Sequence, residues 1–116
     1  MRLAVADPPY LGRGNRWYGD GRAHGGGRGR ADQHPEASLW DDPYEHVMLA
    51  WRLVNDFDGF ALAGTPATLA FYLPELPDDV HVMVWHRGNA IPSGSRIAAQ
   101  WEPVIVRIPE PSRSKR

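Results

Sequence analysis

The stretch Arg2-Leu3-Ala4-Val5-Ala6-Asp7-Pro8-Pro9-Tyr10 opens the chain and decides how the rest is read. Five residues from Arg2 to Ala6 form a short, mainly apolar run that stops abruptly at Asp-Pro-Pro. A parallel strand covered on both faces reads this way, because neither face needs alternating polar residues. Prolines directly after it end the hydrogen-bond ladder and lead the chain out at the carboxyl edge of the sheet. Ligands of open α/β sheets bind beyond that edge, so Asp7-Pro8-Pro9-Tyr10 stands where a site is expected.

The four residues suit an exocyclic amine on a planar base. Asp7 and the Pro8 carbonyl offer acceptors for the amine hydrogens, and Tyr10 offers a ring face for an unstacked base. Proline carries no N–H, so none competes at positions 8 and 9. A strand-terminating turn, with Asp7 capping a backbone amide, uses the same residues without any chemistry.

Downstream, Leu11 to Pro35 lacks hydrophobic period and is rich in glycine and arginine. A loop of this length in a compact domain suggests substrate contact or a solvated insertion. Arg13, Arg16, Arg22, Arg28 and Arg30 face one acid, Asp20, across it. Trp17 and Tyr18 add stacking surfaces among these cations, a combination suited to a nucleic-acid backbone. The formal net charge is only -1, because acids gather at positions 41, 42, 56, 58, 78 and 79. The basic surface is therefore local.

Asp42, Pro43 and Glu45 give cap, first-turn proline and capping-box acid for a helix. Tyr44, Val47, Met48, Trp51 and Val54 recur at helical spacing as its buried stripe, and Asp58-Gly59 ends it. Phe60–Ala63 reads as a second strand. Thr65-Pro66 opens a short helix that Pro74 closes. Val80–Trp85 is a third, apolar strand, residues 86–100 a polar loop, and Val104–Ile108 a last strand. Trp51, Trp85 and Trp101 are expected in the core. His86 suits a structural hydrogen bond, and Glu102 either orients loop backbone or leads its strand. This order predicts an α/β fold with a mostly parallel sheet; the last connection has no helix, which leaves the final strand free to run antiparallel.

The 116 residues suffice for one domain, 42% of them hydrophobic. Without cysteine there is no disulfide framework or thiolate metal site, and the five histidines lack metal-motif spacing. No signal peptide is evident, nor an apolar run near the roughly 20 residues a membrane span requires, so a soluble protein of the cytoplasm is expected. The Pro/Ser/Arg tail, residues 109–116, reads as a disordered basic segment.

Asp7-Pro8-Pro9-Tyr10 after a short strand resembles the catalytic motif of amino-group DNA methyltransferases, mainly those acting on adenine N6. The likeness extends to Val84-Trp85-His86-Arg87-Gly88-Asn89, to the Gly94/Arg96 segment and to Trp101-Glu102-Pro103-Val104-Ile105-Val106. It thus spans most of the chain. The resemblance implies a partial Rossmann-like methyltransferase domain over residues 1–108, with 11–35 as a Gly/Arg-rich loop. It implies direct methyl transfer from S-adenosyl-L-methionine to a flipped adenine, with Asp7, Pro8, Pro9 and Tyr10 catalytic. Asp7 also borders the cofactor, while Arg13, Arg16, Trp17, Arg22 and Arg96 contact DNA. Relatives acting on cytosine N4 usually carry serine first, so Asp7 favours adenine. The family's glycine-rich cofactor loop, often Phe-x-Gly-x-Gly, has no counterpart here; the Gly25-Gly26-Gly27 run follows no strand. A truncated chain, a natural remnant, or one piece of a split enzyme would each explain this. Association is then expected, as a homo-oligomer or with a partner chain bringing the cofactor half, at an exposed sheet edge. The competing reading is a non-catalytic module that binds DNA or a partner.

Overall fold

A computed structural model describes residues 1–19, 34–88 and 100–113. Four strands form one sheet: β1 (Leu3–Ala6), β2 (Gly59–Ala63), β3 (His81–His86) and β4 (Trp101–Arg107), in spatial order β1-β2-β4-β3. β1 and β2 are parallel, with Ala4 beside Phe60 and Ala6 beside Leu62. β4 enters between β2 and β3, antiparallel to both. The chain is thus α/β with a mixed sheet. Only one of its three pairings is parallel, which corrects the expectation of a mostly parallel one. The reason lies in β3 and β4, which are consecutive in sequence and pair antiparallel from His81 beside Val106 to His86 beside Trp101. The reversed last strand was expected.

Helix α1 covers Gly14–Tyr18, and a 3-10 turn covers Ala37–Asp41. Helix α2 spans Pro43–Asp56 and starts as its sequence dictates: the Asp42 carboxylate accepts the Tyr44 N–H at 2.9 Å, with Pro43 in the first turn. Helix α3 (Leu69–Tyr72) lies between 3-10 turns at Pro66–Thr68 and Leu73–Glu75.

The core lies between one sheet face and helices α2 and α3. Ala50, Leu53, Phe60, Leu62, Tyr72 and Ile105 form it, and Ala4 and Ala6 of β1 pack against it. Each large apolar side chain buried there contributes about 1.5–3 kcal/mol. The buried positions of α2 are His46, Ala50 and Leu53, not the expected stripe. Tyr44 and Trp51 are exposed, and the Trp51 indole N–H donates to Glu75 at 2.6 Å. The helix turns this way because His46, only 1% exposed, satisfies both ring nitrogens inside the fold. Its Nε2 meets the Trp40 carbonyl at 2.8 Å, and its Nδ1 meets the Tyr72 hydroxyl at 2.6 Å. A carbonyl only accepts, so a neutral ring donates from Nε2 and accepts the phenol proton at Nδ1.

The opposite sheet face has no helix on it. Leu3, Val5, Met83 and Trp85 are exposed there, Val5 to 89%. β1 is therefore an edge strand with one bare face, not the fully covered strand expected. β3 is exposed along its whole length, and Trp85, expected in the core, is 67% exposed. β3 lies beyond the reach of both helices, with β4 alone beside it.

The described part of the tail is held in place. Glu110–Ser112 forms a 3-10 turn, and Arg113 donates to the Ile108 carbonyl at 2.8 Å. Asp79 takes ion pairs from Arg107 at 3.1 Å and from Arg113 at 2.5 Å. Burial alone would raise the Asp79 pKa, but hydrogen bonds from the two guanidiniums outweigh it and lower it. Of the tail read from sequence as disordered, residues 109–113 carry these contacts and positions 114–116 lie outside the described residues. No helix among the described residues is long and apolar enough to cross a membrane.

Candidate functional site

The carboxyl ends of β1 and β2, the end of β3 and the start of β4 meet at one edge of the sheet. A cleft of about 540 Å³ opens there, within the usual range for small-molecule sites. Asp7, Pro8, Pro9 and Tyr10 line one side as β1 leaves the sheet. Thr65 and Pro66, following β2, line another part. The loop at Thr65 is fixed by Thr68, whose Oγ1 accepts the Thr65 N–H at 2.9 Å and donates to the Thr65 carbonyl at 2.8 Å. Arg87 comes from the end of β3, and Trp101 and Glu102 from the start of β4.

Helix α1 brings Arg13 and Tyr18 to the same cleft. The turn into it is tight: the Arg13 N–H donates to the Tyr10 carbonyl at 2.7 Å, and Gly12 has φ of +74°, which few other residues adopt. Gly14 touches the 3-10 turn so closely that a Cβ would collide with the Ala37 carbonyl. Asp41 then accepts the N–H groups of Gly14 at 2.8 Å and Asn15 at 3.0 Å, placing a carboxylate at the start of α1. The long insertion therefore begins as ordered structure against the cleft, although its sequence carries no period.

Tyr10 is half-buried. Burial pushes its phenol up to about 12, the charges of Glu102 and Asp7 act the same way, and Arg87 opposes them. The phenol stays neutral at physiological pH. Arg87 and Glu102 pair at 2.7 Å with the carboxylate largely covered. Asp7 itself is exposed, its carboxylate free to accept from a ligand.

Of the residues predicted from sequence, Asp7, Pro8, Pro9, Tyr10 and Arg13 are brought together. Arg16 and Trp17 lie on α1, but their side chains are outside the description, and Arg22 and Arg96 fall outside the described residues. Arg87, Trp101, Glu102, Thr65 and Pro66 were not assigned to the site from sequence. Trp101, expected in the core, lines the cleft half-buried. The signal that could have found it is the reversed last strand, since a β3-β4 hairpin returns residues 101 and 102 to the edge where residue 87 leaves.

The cleft combines a free carboxylate, aromatic side chains and two arginines. This suits a planar polar base whose amine meets the carboxylate and whose phosphates meet the cations. Among the described residues, no group of three or more His, Cys, Asp or Glu could hold a metal. S-adenosyl-L-methionine is less well provided for. No glycine-rich turn between strand and helix reaches the cleft among the described residues, and the β1 side ends at an open sheet edge. Among the described residues, the lining suits a planar polar base and does not fit S-adenosyl-L-methionine. Compared with protein-family models, curated proteins and solved structures, the chain matches none.

Proposed function

We propose that this chain is the base-holding half of an S-adenosyl-L-methionine-dependent DNA methyltransferase acting on adenine N6. The observation that carries the proposal is Asp7-Pro8-Pro9-Tyr10 standing past the carboxyl end of β1, in a cleft with aromatic and arginine side chains. S-adenosyl-L-methionine, held by the other half, would supply the methyl group. The residues of this chain hold the acceptor. The Asp7 carboxylate and the Pro8 carbonyl accept the two amine hydrogens, which leaves the nitrogen lone pair directed at the donor. Tyr10, kept neutral and half-buried, gives the flipped adenine a ring face and compensates part of the few kcal/mol lost on unstacking. Arg13 and Arg87 stand where backbone phosphates would pass. The bare sheet face and the free edge of β1 adjoin this cleft and leave room for a half that binds the donor.

The lack of a fitting donor pocket among the described residues favours a second reading, a module that binds nucleic acid without transferring a methyl group. Two measurements test and separate them. First, short single strands with a central adenine are compared with strands carrying purine, which lacks the amine. At least tenfold preference for adenine, lost in Asp7→Ala, is expected; equal binding would remove the motif from base recognition. Second, calorimetric titration with S-adenosyl-L-methionine is run with and without an adenine-containing duplex. Saturable binding near one per chain would show a donor pocket in this chain and rule out the binding module. None at millimolar concentration is expected of a base-holding half, and the adenine-over-purine preference then decides between it and a general nucleic-acid module.

A further inference from the structure

Among the described residues the sheet has two free edges, and they differ. β1 has four residues and runs straight into Asp7-Pro8-Pro9, and its edge is the one that the proposed function leaves to the donor-binding half. β3 has six, His81-Val82-Met83-Val84-Trp85-His86, and pairs with β4 without interruption. Exposed edges are ordinarily guarded by a lysine, a proline, a bulge, an inward charge or a covering element. Among the described residues, none guards His81–His86. Val82, Met83, Val84 and Trp85 are all exposed, so both faces of the strand are apolar and open.

The backbone directions follow from one hydrogen bond. The Arg87 N–H donates to the Gln100 carbonyl at 2.7 Å, so position 87 faces β4. Antiparallel ladders alternate, so positions 85, 83 and 81 face β4 as well, while Val82, Val84 and His86 turn their N–H and C=O outward. Pro103, beside Val84, agrees with this: its carbonyl accepts from the Gly64 N–H at 3.1 Å, on the β2 side.

We infer that β3 pairs antiparallel with β3 of a second copy of this chain, with Met83 on the twofold axis. In that register Val82 meets Val84 of the partner subunit, and these residues exchange their outward-facing backbone groups in two equivalent sets. Trp85 covers the partner's His81. Arg87, which keeps Glu102, comes opposite the partner's Asp79, so the basic end of each strand lies beside the acidic start of the other and extends the ion pairs already present there. A shift by one residue is excluded, because it would set outward-facing groups against inward-facing ones. Two six-residue strands make a small interface, so the dimer should be weak and reversible.

The full chain supplies its own test. Sedimentation equilibrium from micromolar to several hundred micromolar should show reversible conversion from 13.0 kDa to about twice that mass. Val84→Pro removes an N–H that faces away from β4, so the intramolecular ladder survives while association weakens at least tenfold. The chain has no cysteine, so Met83→Cys carries one thiol. Across the axis the two Cα atoms would lie about 4.5 Å apart, within disulfide reach, and mild oxidation should give a covalent dimer. Val84→Cys, diagonal to its symmetry mate, should not cross-link. A wild-type chain monomeric throughout, a Val84→Pro chain that dimerises as before, or a Met83→Cys chain that stays uncoupled would each overturn the inference. Should Val84→Pro fail to fold, the cross-linking pair decides.

Discussion

Replacing Tyr72 by phenylalanine removes one oxygen from the best-buried contact in the fold. The Tyr72 hydroxyl and His46 Nδ1 meet at 2.6 Å, and each residue is 1% exposed. The hydrogen bond itself has a net value of about 1 kcal/mol, and His46 Nδ1 would be left as a buried acceptor without partner or water, at about 1–3 kcal/mol. Phenylalanine fills nearly the same space, so no cavity cost adds to this, and the expected loss is about 2 kcal/mol. Against a total of roughly 5–15 kcal/mol, that should lower the melting temperature by on the order of 8 °C. Urea unfolding followed by tryptophan fluorescence should show the midpoint falling with the slope unchanged. The same substitution has a signature in pH. Burial raises the Tyr72 phenol above its ordinary pKa, so folding favours its protonated form. That contribution is complete below the unfolded value near 10 and is lost as pH climbs above it, so Tyr72→Phe should unfold less steeply in alkali than the wild type. A Tyr72→Phe chain within about 0.5 kcal/mol of wild type would refute the account of His46 as a satisfied core histidine.

Asp7→Ala should abolish base recognition with the melting temperature unchanged, because the Asp7 side chain is exposed and past the end of its strand; loss of folding would favour the turn-capping role instead. Replacing Arg13, Arg16 and Arg22 together should weaken DNA binding and flatten its dependence on salt, read as the slope of log affinity against log salt; an unchanged slope would take the Gly/Arg-rich loop out of the interface. Glu102→Gln should bring the Tyr10 phenol down from about 12 toward 10, seen as earlier ionisation in ultraviolet titration against a Tyr10→Phe control. No change would mean that Glu102 has no part in the value and that burial and Asp7 set it. Asp42→Ala should cost α2 about 1 kcal/mol in thermal unfolding, by loss of the Tyr44 cap.

The elements most legible in the sequence were those announced by local chemistry. Asp42-Pro43 marked the start of α2, and Ala6-Asp7-Pro8 marked the end of β1 because prolines cannot continue a ladder. What local pattern could not supply was which surface each element buries. His46 counts as polar in any periodicity, so the stripe through Val47 and Trp51 looked better than the one through His46, Ala50 and Leu53. Only the distant Trp40 carbonyl and Tyr72 hydroxyl make the histidine acceptable inside. In the same way, the apolar run of β3 suggests burial, and nothing within it says that no helix reaches that far. The site was half legible. Residues 7–10 are contiguous, whereas Arg87 and Glu102 join them only through the pairing of two strands.

The short α1 helix has a consequence for how this chain tolerates change. The His34 N–H donates to the Tyr18 carbonyl at 2.7 Å, so the insertion leaves and rejoins the domain at a single stapled point. Asp41 clamps the outgoing side from the neighbouring turn. Gly19 and His34 are thus held at a closed neck, and the length of chain that joins them bears little on its stability: halving or doubling a connection changes its closure cost by only about 0.6 kcal/mol. Replacing the sequence between Gly19 and His34 should therefore leave the placement of Asp7 to Tyr10 unchanged, because the neck is stapled by groups that lie outside the replaced stretch.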